Sequence, residues 1–179
     1  MKKQPELTAM TRQTLIDTFF CITSEGEKAA VGAVTGRAGY NRCTFYRYFT
    51  DTEQLLSQVE TEICDAFGAA LTEQALSASP TEIISSLAAV YQQYGDYLSV
   101  LLGEHGDSRF VVKMKAIIHP VAHQLFTESS ESDIVATLKE EFVLSAVLAT
   151  ITKWYEMKRP IPISWLGILI MNALRYGLF

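Results

Sequence analysis

The sequence predicts an all-α protein, with a three-helix head containing a helix-turn-helix and a helical body that follows it. Apolar residues recur at intervals of three and four along most of the chain, which is typical of amphipathic helices. Helix-capping residues, Gly and Pro separate these segments. No stretch alternates apolar and polar residues over enough positions to predict a sheet. We place the head at residues 1–50 and the body at residues 51–179.

The first two helices of the head are predicted at about Thr8–Ser24 and Val31–Ala38. The first carries a predicted buried stripe of Leu15, Ile16, Phe19, Phe20 and Ile22. The second is weakly encoded, because Gly32 and Gly36 each cost up to about 1 kcal/mol relative to Ala in a helix. Gly39 ends it, since Gly readily takes the left-handed backbone of a C-terminal cap.

The stretch from Ala38 to Leu56 predicts a tight turn, a short helix and the start of a longer helix. Asn41 is the expected N-cap of the short helix, and Thr50 with Glu53 has capping-box spacing. Arg side chains suit guanine edges, and Tyr hydroxyls suit phosphates. We therefore predict a double-stranded DNA partner. The residues expected to contact it are Arg37, Asn41, Arg42, Cys43, Thr44, Tyr46, Arg47 and Tyr48.

Residues of about 8 to 60 resemble the DNA-binding domain of TetR-family transcriptional regulators. The positions that match the family pattern are Ala38, Gly39, Thr44, Tyr46, Phe49, Asp51, Glu53 and Leu55, with Asn41 in place of a Ser. The resemblance implies a ligand-responsive repressor that binds a pseudo-palindromic operator. Ala30, Gly32, Gly36, Tyr40 and Thr52 depart from the pattern, so a dimeric ligand-binding or protein-interaction module with weakened DNA binding stays open.

The body is predicted to contain five helices, the first continuing from about Asp51 to Leu76. The others are expected at Pro80 to about Leu102, Ser108–Phe126, about Ser132–Met157, and after Pro162 to about Leu178. Ser79 with Glu82, and Asp107, are predicted caps, and Pro120 is predicted to kink its helix. The C-terminal half loosely resembles a regulator branch that includes activators of dihydroxyacetone kinase operons, which leaves activation open.

An effector pocket of unknown ligand is predicted in the body, because such pockets combine an apolar lining with a few polar groups. The candidate residues are Tyr91, Tyr94, Phe110 and His119. Core packing is the alternative for each of them. His119 and His123 are spaced to bind zinc, but no third ligand is evident in the sequence, and we predict no metal site.

The last two helices are apolar on more than one face, which favours a homodimer built as a four-helix bundle. The residues expected in the interface are Phe142, Val147, Trp154, Trp165 and Leu169. A dimer would also present two reading helices to a two-fold related DNA site.

Charge is unevenly distributed: residues 1–50 hold seven Lys/Arg against four Asp/Glu, although the whole chain has a net charge of −5. A basic end can be steered toward a polyanion. Three cysteines without metal-ligand spacing argue against a disulfide framework. We find no catalytic motif, cofactor motif, signal peptide or membrane-spanning run, and expect a cytoplasmic protein that is not an enzyme.

Overall fold

The computed structural model describes residues 5–71, 80–103, 106–126 and 133–176, which form eight α-helices and no strand. The all-α prediction is confirmed over these residues. In chain order the helices are α1 Pro5–Ser24, α2 Val31–Ala38, α3 Arg42–Phe45, α4 Thr52–Ala70, α5 Pro80–Leu101, α6 Ser108–Phe126, α7 Asp133–Glu156 and α8 Ile163–Tyr176. The predicted helix limits at Leu76, Ser132 and Leu178, and the predicted cap Ser79, lie outside the described residues.

The chain divides into two compact units, Met1–Glu62 and Ile63–Phe179. The division falls inside α4 rather than at its first turn. The assignment of residues 1–50 and 51–179 to a head and a body stays a prediction.

The core of the first unit is built on the apolar stripe of α1, which is buried as predicted. α1 packs against α2, and α2 packs against α3. Val34 on α2, Phe45 on α3, and Leu55 and Val59 on α4 are almost completely buried. Because every element of the unit contributes large apolar side chains, the short helix α3 is held by packing rather than by its own length.

The start of α4 corrects one prediction, because the side chain that caps the helix is that of Asp51 rather than Thr50. The Asp51 carboxylate accepts a hydrogen bond of 2.7 Å from the Gln54 backbone N–H, and the Gln54 side chain accepts one of 2.6 Å from the Thr50 N–H. A carboxylate is a stronger acceptor than a hydroxyl and is favoured by the positive end of the helix dipole. Asp51 therefore caps the helix in place of Thr50.

In the second unit, α6 packs along α7, and α8 packs against both α5 and α7. The interior holds Leu98, Phe110, Met114, Leu148 and Leu166. Asp107 caps α6 as predicted, since its carboxylate accepts a 2.8 Å hydrogen bond from the Arg109 backbone N–H. α6 continues through Pro120 to Phe126.

Among the described residues, no helix is both long enough and apolar enough to cross a membrane.

Candidate functional site

The candidate site is the segment that joins α2 to α4, and two backbone caps set its geometry. Gly39 takes a left-handed φ of 73°, and the Tyr40 N–H donates to the Thr35 carbonyl oxygen at 2.9 Å, which closes the C-terminus of α2. Two residues later, Asn41 opens α3 by accepting a 2.8 Å hydrogen bond from the Thr44 backbone N–H. The predicted Gly39 and Asn41 caps are therefore confirmed, and together they define a helix-turn-helix.

α3 is only four residues long, and Tyr46, Arg47 and Tyr48 lie in the turn that follows it. Phe45 and Phe49 anchor this segment from below, with ring centroids 5.5 Å apart and almost no exposed surface. Because the two rings face the core, the polar residues between them face outward or lie along the rim.

The outward residues of the segment are cationic, polar or aromatic. Arg42, Cys43, Tyr46 and Arg47 are exposed, whereas Thr44 and Tyr48 are half-buried. The Tyr46 ring stands edge-on to Phe45, with 5.8 Å between the ring centroids. This contact with a buried ring restricts the orientation of the Tyr46 side chain. The segment thus offers two guanidinium groups and a phenol on a rigid support, which is suitable chemistry for phosphates and base edges.

Asn41 and Thr44 have a structural role at this surface. The Thr44 hydroxyl donates to the Asn41 side-chain oxygen at 3.0 Å, and the same oxygen accepts the Thr44 backbone N–H. Both side chains are therefore already engaged in the cap. The Asn41 amide N–H₂ group and the free lone pairs of the Thr44 hydroxyl are the groups that they can offer to another molecule.

The Arg42 side chain folds back over α2 at Gly32. A Cβ atom at residue 32 would lie 2.9 Å from Arg42 Nη2 and 3.7 Å from the guanidinium carbon. The absence of a side chain on Gly32 therefore makes room for the guanidinium group of Arg42. This contact between Gly32 on α2 and Arg42 on α3 is not visible in the sequence pattern.

Two other cations of the first unit are paired with acids. Arg37 forms two hydrogen bonds to the Glu25 carboxylate, at 2.5 and 2.6 Å. This pairing lowers the pKa of Glu25 and raises that of Arg37. Arg12 on α1 donates to Glu62 at 2.6 Å, and its guanidinium lies 5.5 Å from the centre of the Phe49 ring. Arg37 keeps three further N–H donors for a phosphate, but its charge is partly neutralised by Glu25.

Two solved structures are similar to this chain over nearly its whole length. A TetR transcriptional regulator from Streptococcus agalactiae gives a TM-score of 0.67 at 18% identity, covering 95% of this chain and 96% of that chain. The fatty acid degradation regulator FadR from Bacillus halodurans gives 0.67 at 17% identity, covering 99% and 98%. The chain has the TetR-regulator fold. No protein-family model and no curated protein sequence matches it.

Both of these neighbours are regulators rather than enzymes. The resemblance predicted from the residues of the helix-turn-helix is thus confirmed at the level of the fold.

Within this TetR fold, the second unit contains a partly open cavity of about 200 Å³. Helices α4 to α8 all contribute to its lining, which is apolar except for the hydroxyl groups of Tyr91 and Tyr155. Of the predicted pocket residues, only Tyr91 lines the cavity. Phe110 is fully buried in the core, and the Tyr94 ring pairs with Tyr97. Tyr155 also lines the cavity but was not among the predicted pocket residues.

His119 lies on the surface of α6 and not at the cavity. Its Nε2 atom is 3.1 Å from one oxygen of Glu140, and His123 Nδ1 is 2.6 Å from the other. Glu140 projects from α7 and is buried. The two imidazole rings therefore connect α6 to α7 through one carboxylate.

The predicted dimer residues fall into two groups. Phe142 and Trp165 leave 70% and 67% of their surface exposed, and Leu169 is also exposed. They belong to two apolar stripes on the neighbouring helices α7 and α8. The members of the stripes are Ile134, Leu138 and Phe142 on α7, and Trp165, Ile168 and Leu169 on α8.

Trp154 and Val147 are not on these stripes. Trp154 is only 4% exposed, and its indole N–H donates to the Ile161 carbonyl oxygen at 2.9 Å. Val147 lines the cavity. A side chain already covered by its own chain has little surface to give to a partner, so the structure does not bring Trp154 into the predicted interface.

Proposed function

We propose that this chain is a homodimeric, DNA-binding transcriptional regulator whose second unit binds an effector. The observation that carries the proposal is the surface between α2 and α4, where Arg42, Tyr46 and Arg47 project from a segment fixed by Phe45 and Phe49. A rigid support lowers the entropy cost of placing these groups in a groove. The TetR-regulator fold gives independent support.

The direct test is to select bound sequences from random double-stranded DNA with the purified full-length chain. We expect enrichment of a pseudo-palindromic site, with affinity that falls steeply as salt rises, because Lys and Arg contacts release counterions. Arg42→Ala should weaken binding to the selected site by roughly 5- to 150-fold. Arg47→Ala should lower the affinity for all DNA sequences by a similar factor. Lys153→Ala, an exposed cation on α7, is the matched control. Failure to enrich any sequence would refute the proposed operator binding.

Dimerisation is the second part of the proposal and rests on the stripes of α7 and α8. Exposed apolar side chains at four-residue spacing on α7 give a continuous face, which a second copy can cover. We expect light scattering after gel filtration to report a dimer for the wild type and a monomer for the Phe142→Asp/Trp165→Asp variant. Leu7→Asp changes a similarly exposed apolar residue on α1 and should leave the dimer intact. A monomeric wild type would contradict the proposal.

The alternative is a ligand-binding or protein-interaction module that has little affinity for DNA. The pairing of Arg37 with Glu25 and of Arg12 with Glu62 favours it, because both cations are partly neutralised. Ala30 also provides no side-chain cap for α2. Salt-dependent DNA binding by the purified chain would reject this alternative, and its absence would support it.

A further inference from the structure

The turn that follows α7 has an unusual backbone. Lys158 and Arg159 both have a φ of 59°, in the left-handed region that glycine normally occupies. Hydrogen bonds from the Lys158 N–H to the Tyr155 carbonyl oxygen, at 2.8 Å, and from the Arg159 N–H to that of Trp154, at 2.9 Å, hold the turn. A left-handed residue other than glycine costs about 1–2 kcal/mol. Such backbone conformations cluster at functional sites.

This turn brings the Arg159 side chain to Tyr91, a residue that lines the cavity. Its guanidinium lies 3.3 Å from the Tyr91 hydroxyl oxygen and 3.4 Å from an Asp96 carboxylate oxygen. Both distances are long for hydrogen bonds. The Asp96 side chain is 91% exposed, so this ion pair is weak. Arg159 therefore keeps the capacity to bind a better-placed anion through its several N–H donors.

The polar groups of the cavity lie together beside Arg159. The Tyr91 and Tyr155 rings both stand edge-on to Trp154, at 5.6 and 4.9 Å between centroids. Burial raises the pKa of Tyr155, which keeps its phenol neutral. All other residues of the lining are apolar. The cavity is thus almost wholly apolar, and the nearest cation with a known position is Arg159, beside the hydroxyl of Tyr91.

We propose that the cavity binds a small amphipathic carboxylate, with its apolar chain inside and its carboxylate on the Arg159 guanidinium and the Tyr91 hydroxyl. A planar guanidinium pairs well with a carboxylate through two parallel hydrogen bonds. A volume of about 200 Å³ is smaller than the roughly 300–1,000 Å³ of sites for drug-sized ligands, which favours a short chain. The effector role of this ligand rests on the proposed regulatory function, whereas its binding does not.

The test compares octanoate with 1-octanol, which has the same chain length but no charge. The chain has two Trp residues, so Trp165→Phe leaves Trp154 beside Tyr91 and Tyr155 as the only indole reporter. In this background we expect octanoate to bind at least tenfold more tightly than 1-octanol, because hydrogen bonds to charged groups are the stronger ones. Equal affinity for the two probes, or no binding of octanoate, would overturn the proposal.

Variants identify the residues that bind the carboxylate of octanoate. Arg159→Gln should abolish the preference for octanoate and leave 1-octanol affinity unchanged, and Arg159→Lys should restore part of the preference. Tyr91→Phe keeps the ring and should reduce octanoate affinity severalfold. Lys158→Gln changes the neighbouring exposed cation and should have no effect on either probe. Retention of the octanoate preference in Arg159→Gln, with a folded protein by circular dichroism, would refute the role of Arg159.

Binding to the probes is measured without DNA, and operator binding is measured without the probes. Octanoate binding without any selected DNA site would leave this inference standing and remove the proposed regulatory function. A selected DNA site without octanoate binding would support the proposed regulatory function and refute this inference.

Discussion

Replacement of Gly32 by Ala, compared with the same change at Gly36, tests whether Gly32 determines the position of the Arg42 side chain. An added Cβ would lie 2.9 Å from Arg42 Nη2, which is too close, so the guanidinium must move away from α2. Gly36 lies on the same helix, and a Cβ there would meet nothing within 4 Å. Gly36→Ala is therefore the matched control, since it changes helix propensity without touching Arg42.

The two substitutions should both stabilise the fold. Gly to Ala in a helix gains up to about 1 kcal/mol, and the gain at Gly32 should be smaller because it lies in the first turn. For a chain of this length, about 1 kcal/mol corresponds to a rise of roughly 2–4 °C in Tm. The clash at Gly32 is with the far end of a flexible side chain, so it removes little of this gain. Thermal unfolding at one fixed protein concentration measures both effects.

Their effects on DNA should differ. If Gly32 holds Arg42 in its reading position, Gly32→Ala weakens binding to the selected site by up to the roughly 1–3 kcal/mol expected for loss of a base-reading Arg. Gly36→Ala should bind as the wild type does. In a double-mutant cycle, Gly32→Ala should add nothing to Arg42→Ala, because both act through one guanidinium. Equal DNA affinities for the two glycine variants, or additive losses in the cycle, would refute this reasoning.

Three further substitutions test a cap, an ion pair and a strained backbone residue. Asn41→Ala removes the acceptor of the Thr44 N–H and should lower the free energy of unfolding by about 1 kcal/mol in a urea titration. Glu25→Gln releases Arg37, so affinity for nonspecific DNA should rise and the salt slope should steepen by about one. Arg37 lowers the pKa of Glu25, so the ion pair stabilises the fold above the unfolded pKa; the stability difference between wild type and Glu25→Gln should disappear as pH falls through the folded pKa. Lys158→Gly relieves a left-handed residue and should raise stability by about 1 kcal/mol, and an unchanged or lower midpoint would contradict the strain argument.

Local signals predicted the helix-turn-helix well. The bounds of α2 and the caps Gly39 and Asn41 could be predicted because each depends on two or three neighbouring residues. The predicted N-cap of α4 was wrong by one residue. Thr50 and Asp51 are adjacent and both suit an N-cap, so only the three-dimensional structure decides between them. The contact of Gly32 with Arg42 depends on how two helices cross, and no local pattern encodes that crossing.

The second unit was harder to predict, because periodicity shows which residues share a face but not which neighbour the face meets. Tyr91 and Tyr155 come from different helices, and both line one cavity only because the tertiary packing brings those helices together. One residue of the predicted interface, Trp154, is covered by its own chain, and helical geometry explains why. Phe142 and Trp154 are twelve positions apart on α7, which places them about 120° apart around the axis. An outward Phe142 therefore requires a Trp154 that faces elsewhere, and in α7 it faces the core. One helix can thus pack its own unit with one face and present the other to a second copy.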